Sequence, residues 1–330
     1  MPNLNQITLR YVKVGPYSSW FSICQDGYSL NNAPVPGIDN SEVLARINEF
    51  QPLISADGNY QNEILKNVFN IGLKKAEAKP LWITPNSIRR HRFTTEDKGR
   101  KRAAATSMGS IDYTLHRQFA GLVNKGNAHK LKFANKYGLL KCQAVHNLVF
   151  RNPNTGKQVQ MGESLLWWQE EITDLASCLK LWDMVVSEDK ELKDIVLWHR
   201  DGIVLRLEEG DVQLVRRSNM NLLARWNKGD TKGPALYYLS LVSNKRLANA
   251  LTPGISASDE PNEVCVYPDS LLSAIWFMFV LEVSGNIRLV KCDVCGDYFS
   301  SQDPRAQFCS TRCRMRNYRK SAARKSKRRR

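Results

Sequence analysis

The sequence predicts an α+β protein: a predominantly helical large domain containing a small antiparallel β-meander, followed by a small C-terminal module built on cysteines. Three observations carry this. Apolar residues recur at alternating three- and four-residue spacing across 163–188, the period of a helix face. Between 195 and 216 the period changes to two, with turn residues separating three short runs. At the C-terminus four of the chain's eight cysteines stand as two close pairs, Cys292-x2-Cys295-x13-Cys309-x3-Cys313.

The elements follow in order. Segments 7–14 and 19–24, separated by Gly15-Pro16, are expected to form a strand pair. Residues 31–39, with Pro34, Pro36 and Gly37, form a loop. Helical periods at 41–50 and 57–76 begin at Ser41 and Asp57, both good N-caps. The polar, basic stretch 84–108 breaks the pattern and is expected to be an exposed connection. Helices follow at 111–123 and 128–140. In 163–188 Leu165, Trp168, Ile172, Leu175, Leu179, Trp182 and Val186 fall on one stripe. Such a stripe packs into the chain's own core or, being heptad-like, forms the seam of a homodimer. Strands at 195–199, 203–207 and 212–216 make the meander, turning at Asp201-Gly202 and Glu209-Gly210-Asp211. Helices return at 219–226, 235–251 and 268–283. The last is apolar nearly all round and should be buried. The domain boundaries read 1–285 for the large domain, whose role the sequence leaves open; 286–320 for the cysteine module; and 321–330 for a basic tail.

Length and composition are those of a folded protein: 330 residues, 42% apolar and 24% charged. The net charge of +16 is unusual, and its placement matters more than its size. Residues 286–330 hold fourteen Lys/Arg against three Asp, and 89–102 hold seven against two acids. Together they account for the whole excess, leaving a neutral body with two basic patches. The N-terminus lacks the basic and apolar regions of a signal peptide, and the longest apolar run, 271–281, is too short to span a bilayer. A cytoplasmic protein without membrane association is expected, in which Cys24, Cys142, Cys178 and Cys265 are reduced, packed thiols.

Four thiols in two close pairs are the ligand set of one tetrahedral structural Zn2+, through Cys292, Cys295, Cys309 and Cys313. Gly296 suits a knuckle turn requiring positive φ, so that backbone N–H groups point at the thiolates. Ser310 stands where an N-cap belongs, placing Cys313 in a helical first turn that favours the thiolate. Tyr298, Phe299 and Phe308 are expected to cap the metal. The following helix is dense in positive charge: residues 314–330 carry ten Lys/Arg and no acid. Unneutralised, that charge repels itself, so a polyanion is the expected partner. The candidate contacts are Arg312, Arg314, Arg316, Tyr318, Arg319, Lys320, Arg324 and Lys325. Tyr318 either stacks on the nucleic acid or anchors the helix on the finger, with anchoring preferred.

The segments 289–299 and 308–319, with Cys292-Asp293-Val294-Cys295-Gly296 and Phe308-Cys309-Ser310-Thr311-Arg312-Cys313, resemble the C-terminal treble-clef zinc fingers of bacterial CGNR-type proteins. There the last ligand opens Cys-Gly-Asn-Arg; here the segment reads Cys313-Arg314-Met315-Arg316, so the Gly and Asn are absent. The resemblance covers about residues 270–320 and implies a treble-clef-like finger in a DNA-binding transcriptional regulator. Segment 133–140 is similar to stretches upstream of such fingers and implies no activity.

No catalytic constellation is evident. His91, His116, His129, His146 and His199 make no metal motif, His199 reads as a surface residue at a hairpin turn, and the glycines make no phosphate loop. Two functions stay open: a DNA-binding regulator, or an RNA-directed protein or enzyme, a nuclease or modification factor, whose finger positions the substrate.

Overall fold

A helix that is apolar on every side can be stable in water only when other elements enclose it, and the chain is built around one such helix. The computed structural model describes residues 13–14, 27–32, 81–86, 112–140, 149–151, 158–160, 162–208, 210–255, 264–301, 303 and 305–328. In chain order the strands are β1 Lys13–Val14, β2 Tyr28–Asn31, β3 Trp82–Pro85, β4 Val149–Arg151, β5 Gln158–Gln160, β6 Glu163–Ser164, β7 Val196–His199, β8 Gly202–Leu207, β9 Gly210–Arg216, β10 Leu251–Ile255, β11 Val264–Pro268, β12 Leu289–Lys291 and β13 Tyr298–Ser300. The helices are α1 Leu115–Ala120, α2 Asn127–Tyr137, α3 Leu165–Ser187, α4 Leu192–Ile195, α5 Met220–Leu223, α6 Lys232–Leu247, α7 Leu271–Val283 and α8 Thr311–Arg328. The class is α+β, with small, mostly antiparallel sheets.

The enclosed helix is α7. Ser270 caps it, its hydroxyl accepting from the Ser273 amide at 3.2 Å, and all but Val280 and Val283 of its residues are buried. α1, α3, α6 and β11 pack around it. The 163–188 stripe becomes α3. Leu165, Trp168, Ile172, Leu175 and Leu179 are buried and Trp182 packs against the same core; Val186 alone of the seven is exposed. The face is thus used within the chain. Phe119, Phe133 and Trp168 form its aromatic centre, with ring centroids 5.4 to 6.1 Å apart. Burial of each such side chain contributes on the order of 2 kcal/mol.

The meander forms as expected. β7, β8 and β9 pair in that order, antiparallel, with Gly202 opposite both His199 and Arg216. Gly202 is required there: its φ is +132°, and a Cβ would lie 1.9 Å from the Val215 carbonyl oxygen.

Several short strands were not expected. Residues 84 and 85 belong to β3, at the centre of a sheet ordered β2-β3-β6, and not to the basic connection beginning at 84. Leu251, expected to end a helix begun at 235, instead opens β10. α6 stops at Leu247, the chain turns through Asn249 at φ 60°, and β10 pairs antiparallel with β11. Val14 pairs in parallel with Val266. The expected strand at 19–24, the helices at 41–50 and 57–76, and the basic patch 89–102 lie outside the described residues.

Candidate metal centre and basic helix

The hairpin β12–β13 sets up the cysteine site. Its register pairs Lys291 with Tyr298, so the six residues between them must turn tightly. The turn is closed by the Cys292 amide donating to the Asp297 carbonyl and the Gly296 amide donating to the Cys292 carbonyl, both at 2.9 Å. Gly296 takes φ 78°, as its place after the first cysteine pair predicted. The Asp293 amide donates to the Gln307 carbonyl at 3.1 Å, bringing the second cysteine pair beside the first. Ser310 then caps α8, its hydroxyl accepting from the Cys313 amide at 3.3 Å.

The four sulfurs consequently lie within 4.8 Å of one another. Cys295 and Cys309 Sγ are 3.5 Å apart, and Cys309 and Cys313 Sγ 3.6 Å. A disulfide requires about 2.05 Å, whereas four sulfurs about 2.3 Å from a central ion are about 3.8 Å apart. The donor set and spacing fit one tetrahedral metal ion. The thiols differ in their electrostatics. Burial opposes the thiolate at Cys292, but backbone hydrogen bonds at Cys295, Cys309 and Val294 outweigh it and pull that thiol down to about 6. A backbone bond at Asp297 pulls Cys295 the same way, yet desolvation and contacts with the Cys309 and Cys292 sulfurs win, pushing it up to about 12. Four crowded thiolates need a cation between them.

The module is seated on the large domain. Ile287 is buried with Phe277, Met278 and Leu281 of α7, and Leu289 packs against them. Tyr298, expected in an apolar cap over the metal, has a further partner. Its ring lies under Arg117 of α1, with Cζ 4.1 Å from the centroid. Arg117 is held in turn. Its Nε donates to both Glu282 oxygens at 3.0 and 3.2 Å, and its terminal nitrogens donate to Asp183 at 2.7 and 3.1 Å. His116 Nε2 lies 2.5 Å from Glu282 Oε2, and Trp182 Nε1 donates to Oε1 at 3.3 Å. Burial pushes the Glu282 carboxyl up, but these donors and the guanidinium charge dominate and hold it at about 2. Burial keeps His116 below its ordinary value, so the neutral ring donates Nε2–H.

α8 extends from the metal site with its cations in solvent. Arg312, Arg314, Arg316, Arg319 and Lys320 are exposed, and no ion pair among the described residues involves them. Arg324 and Lys325 continue the same helix. Tyr318 is 70% exposed, so the preferred anchoring role is not what it does. His199 is exposed, as its turn position predicted. Among the described residues no helix is long and apolar enough to cross a membrane.

Arg117, His116, Asp183 and Glu282 were not singled out from sequence. One signal was present: Glu282 is the only charged residue in 271–283, and an acid on a wholly buried helix must find donors. No family model, curated protein or solved structure matches the chain.

Proposed function

We propose that the chain is a zinc-dependent nucleic-acid-binding protein, a regulator that holds duplex DNA through α8. The observation that carries this is the state of α8: five exposed Arg/Lys over Arg312–Lys320 with no carboxylate partner among the described residues, beside a solvent-facing tyrosine. The all-cysteine donor set supports zinc. The ion contributes ~10–16 kcal/mol of apparent binding energy to a module too small to fold by burial alone. Knuckle, hairpin and helix in succession support the treble-clef reading. DNA is favoured over duplex RNA by shape. α8 has 18 residues, about 27 Å, and a helix enters the B-form major groove but not the deep, narrow groove of A-form RNA.

The test is genome-wide occupancy of the intact protein beside a full-length variant with Arg312, Arg316, Arg319 and Lys320 changed to glutamine. Discrete sites lost in the variant support the regulator. Diffuse occupancy, or association with ribosomal RNA, contradicts it.

A further inference from the structure

We infer that the cleft between α2 and the metal-site knuckle is a second phosphate-backbone contact, so that nucleic acid runs from α8 past the knuckle onto α2. This rests on the reading of α8 above. The cleft measures about 590 Å³, with Lys125, His129, Lys132 and Lys136 on one wall and Asp297 and Tyr298 on the other. His129, Lys132 and Lys136 are spaced three and four residues apart, hence on one face of α2, and Lys125 lies four residues before His129, just ahead of the helix. All four are exposed, and no ion pair among the described residues includes them. Lys136 Nζ reaches only neutral groups, the Tyr137 hydroxyl at 2.5 Å and Gln118 Oε1 at 3.5 Å, and lies 4.4 Å from the Tyr137 ring centroid.

Continuity with α8 comes through the metal site. Gly296 also lines the cleft; the preceding Cys295 sulfur is 3.5 Å from that of Cys309, two residues before α8 begins. Two acids stand by the stripe, Asp297 in the facing wall and Asp112, which accepts from the Tyr137 hydroxyl at 2.9 Å, two charges against three lysines; Arg117, also in the lining, is paired with Glu282 and Asp183. From His129 to Lys136 the face is about 10 Å long, the axial length of about three phosphates on one strand. A phosphodiester backbone presents evenly spaced negative charge and asks for no base-specific geometry, and flexible lysines suit it as point charges.

The test measures binding of the full-length zinc-loaded protein to a labelled duplex across a range of salt. One variant carries Lys125→Gln, Lys132→Gln and Lys136→Gln. A control removes equal charge outside the cleft, at Lys193, Lys228 and Lys245, all exposed. The cleft variant should lose about 2.7 from the slope of log K against log salt, and the control should match wild type. An unchanged slope in the cleft variant, with salt-dependent wild-type binding that α8 substitutions weaken, overturns this inference and leaves the α8 reading standing. Equal losses in variant and control overturn it also. Failure of wild type to bind at any salt sinks both.

Discussion

Changing Glu282 to glutamine keeps the side chain's shape and removes its charge, and the structure gives the consequence. Glu282 is buried and accepts from His116, Arg117 and Trp182 at once. A glutamine amide would turn its NH2 toward groups that are themselves donors, leave one oxygen to accept, and leave Asp183 as the one carboxylate on the Arg117 guanidinium. Breaking one side of a buried pair costs about 3–5 kcal/mol; the retained Asp183 contact argues for the lower end. An independent route agrees, since a carboxyl held at about 2 against an ordinary 4.5 corresponds to about 3 kcal/mol of stabilisation at neutral pH. The sign is fixed by the direction of the shift. A depressed carboxyl contributes fully above its unfolded value near 4.5 and loses that contribution as pH falls toward 2. Urea unfolding at pH 7 should therefore show Glu282→Gln about 3 kcal/mol less stable with an unchanged m-value, and the gap should shrink by about 1 kcal/mol at pH 4. A gap under about 1 kcal/mol at pH 7, or one of equal size at both pH values, would refute this account of how the body holds Arg117.

Three other outcomes are expected. Tyr318→Ala should leave stability within about 0.5 kcal/mol, because the ring is already in solvent, while weakening DNA binding by about 1 kcal/mol or more; a stability loss with unchanged binding would restore the anchoring role. Tyr298→Ala removes the ring under Arg117 and should loosen the module's seat by about 0.5–2 kcal/mol, read as faster amide exchange at 298–300; unchanged exchange there would refute the seat. Chelation should release one equivalent of zinc and lower the helical circular dichroism by about the length of α8, since a helix with so many like charges is marginal without its anchored first turn. Less than half an equivalent of metal, or an unchanged spectrum, would contradict the zinc reading.

The parts of the structure visible in the sequence are those specified by local chemistry. Cys292, Cys295, Gly296, Cys309, Ser310 and Cys313 act through contacts only a few residues apart or through one cluster of sulfurs that could hold a metal ion, so spacing alone placed them. α3 and α7 were visible because long apolar patterns have one helical solution. β3 and β10 were not, because Trp82 pairs with the distant Ser164 and Pro253 and Gly254 disguise β10; the strand ending at Val14 was expected, but not its pairing with Val266. Counting charge also hid something. The body sums to neutrality outside its basic patches, yet 112–140 carry five Lys/Arg against one Asp, and only the fold shows three of these lysines on one wall of a cleft. The further partner of Tyr298 was hidden, because a ring beside a metal site reads as its cap until Arg117, distant in sequence, is seen above it.

On the proposed reading, α8 grips nucleic acid through cations that have no ion pair among the described residues. The most direct measurement of this is the salt dependence of duplex DNA binding by the zinc-loaded full chain, with and without Arg312, Arg316, Arg319 and Lys320 changed to glutamine. The account predicts linear log K against log salt, with the four substitutions lowering the slope by about 3.6. Salt-dependent binding whose slope the four substitutions leave untouched would contradict it.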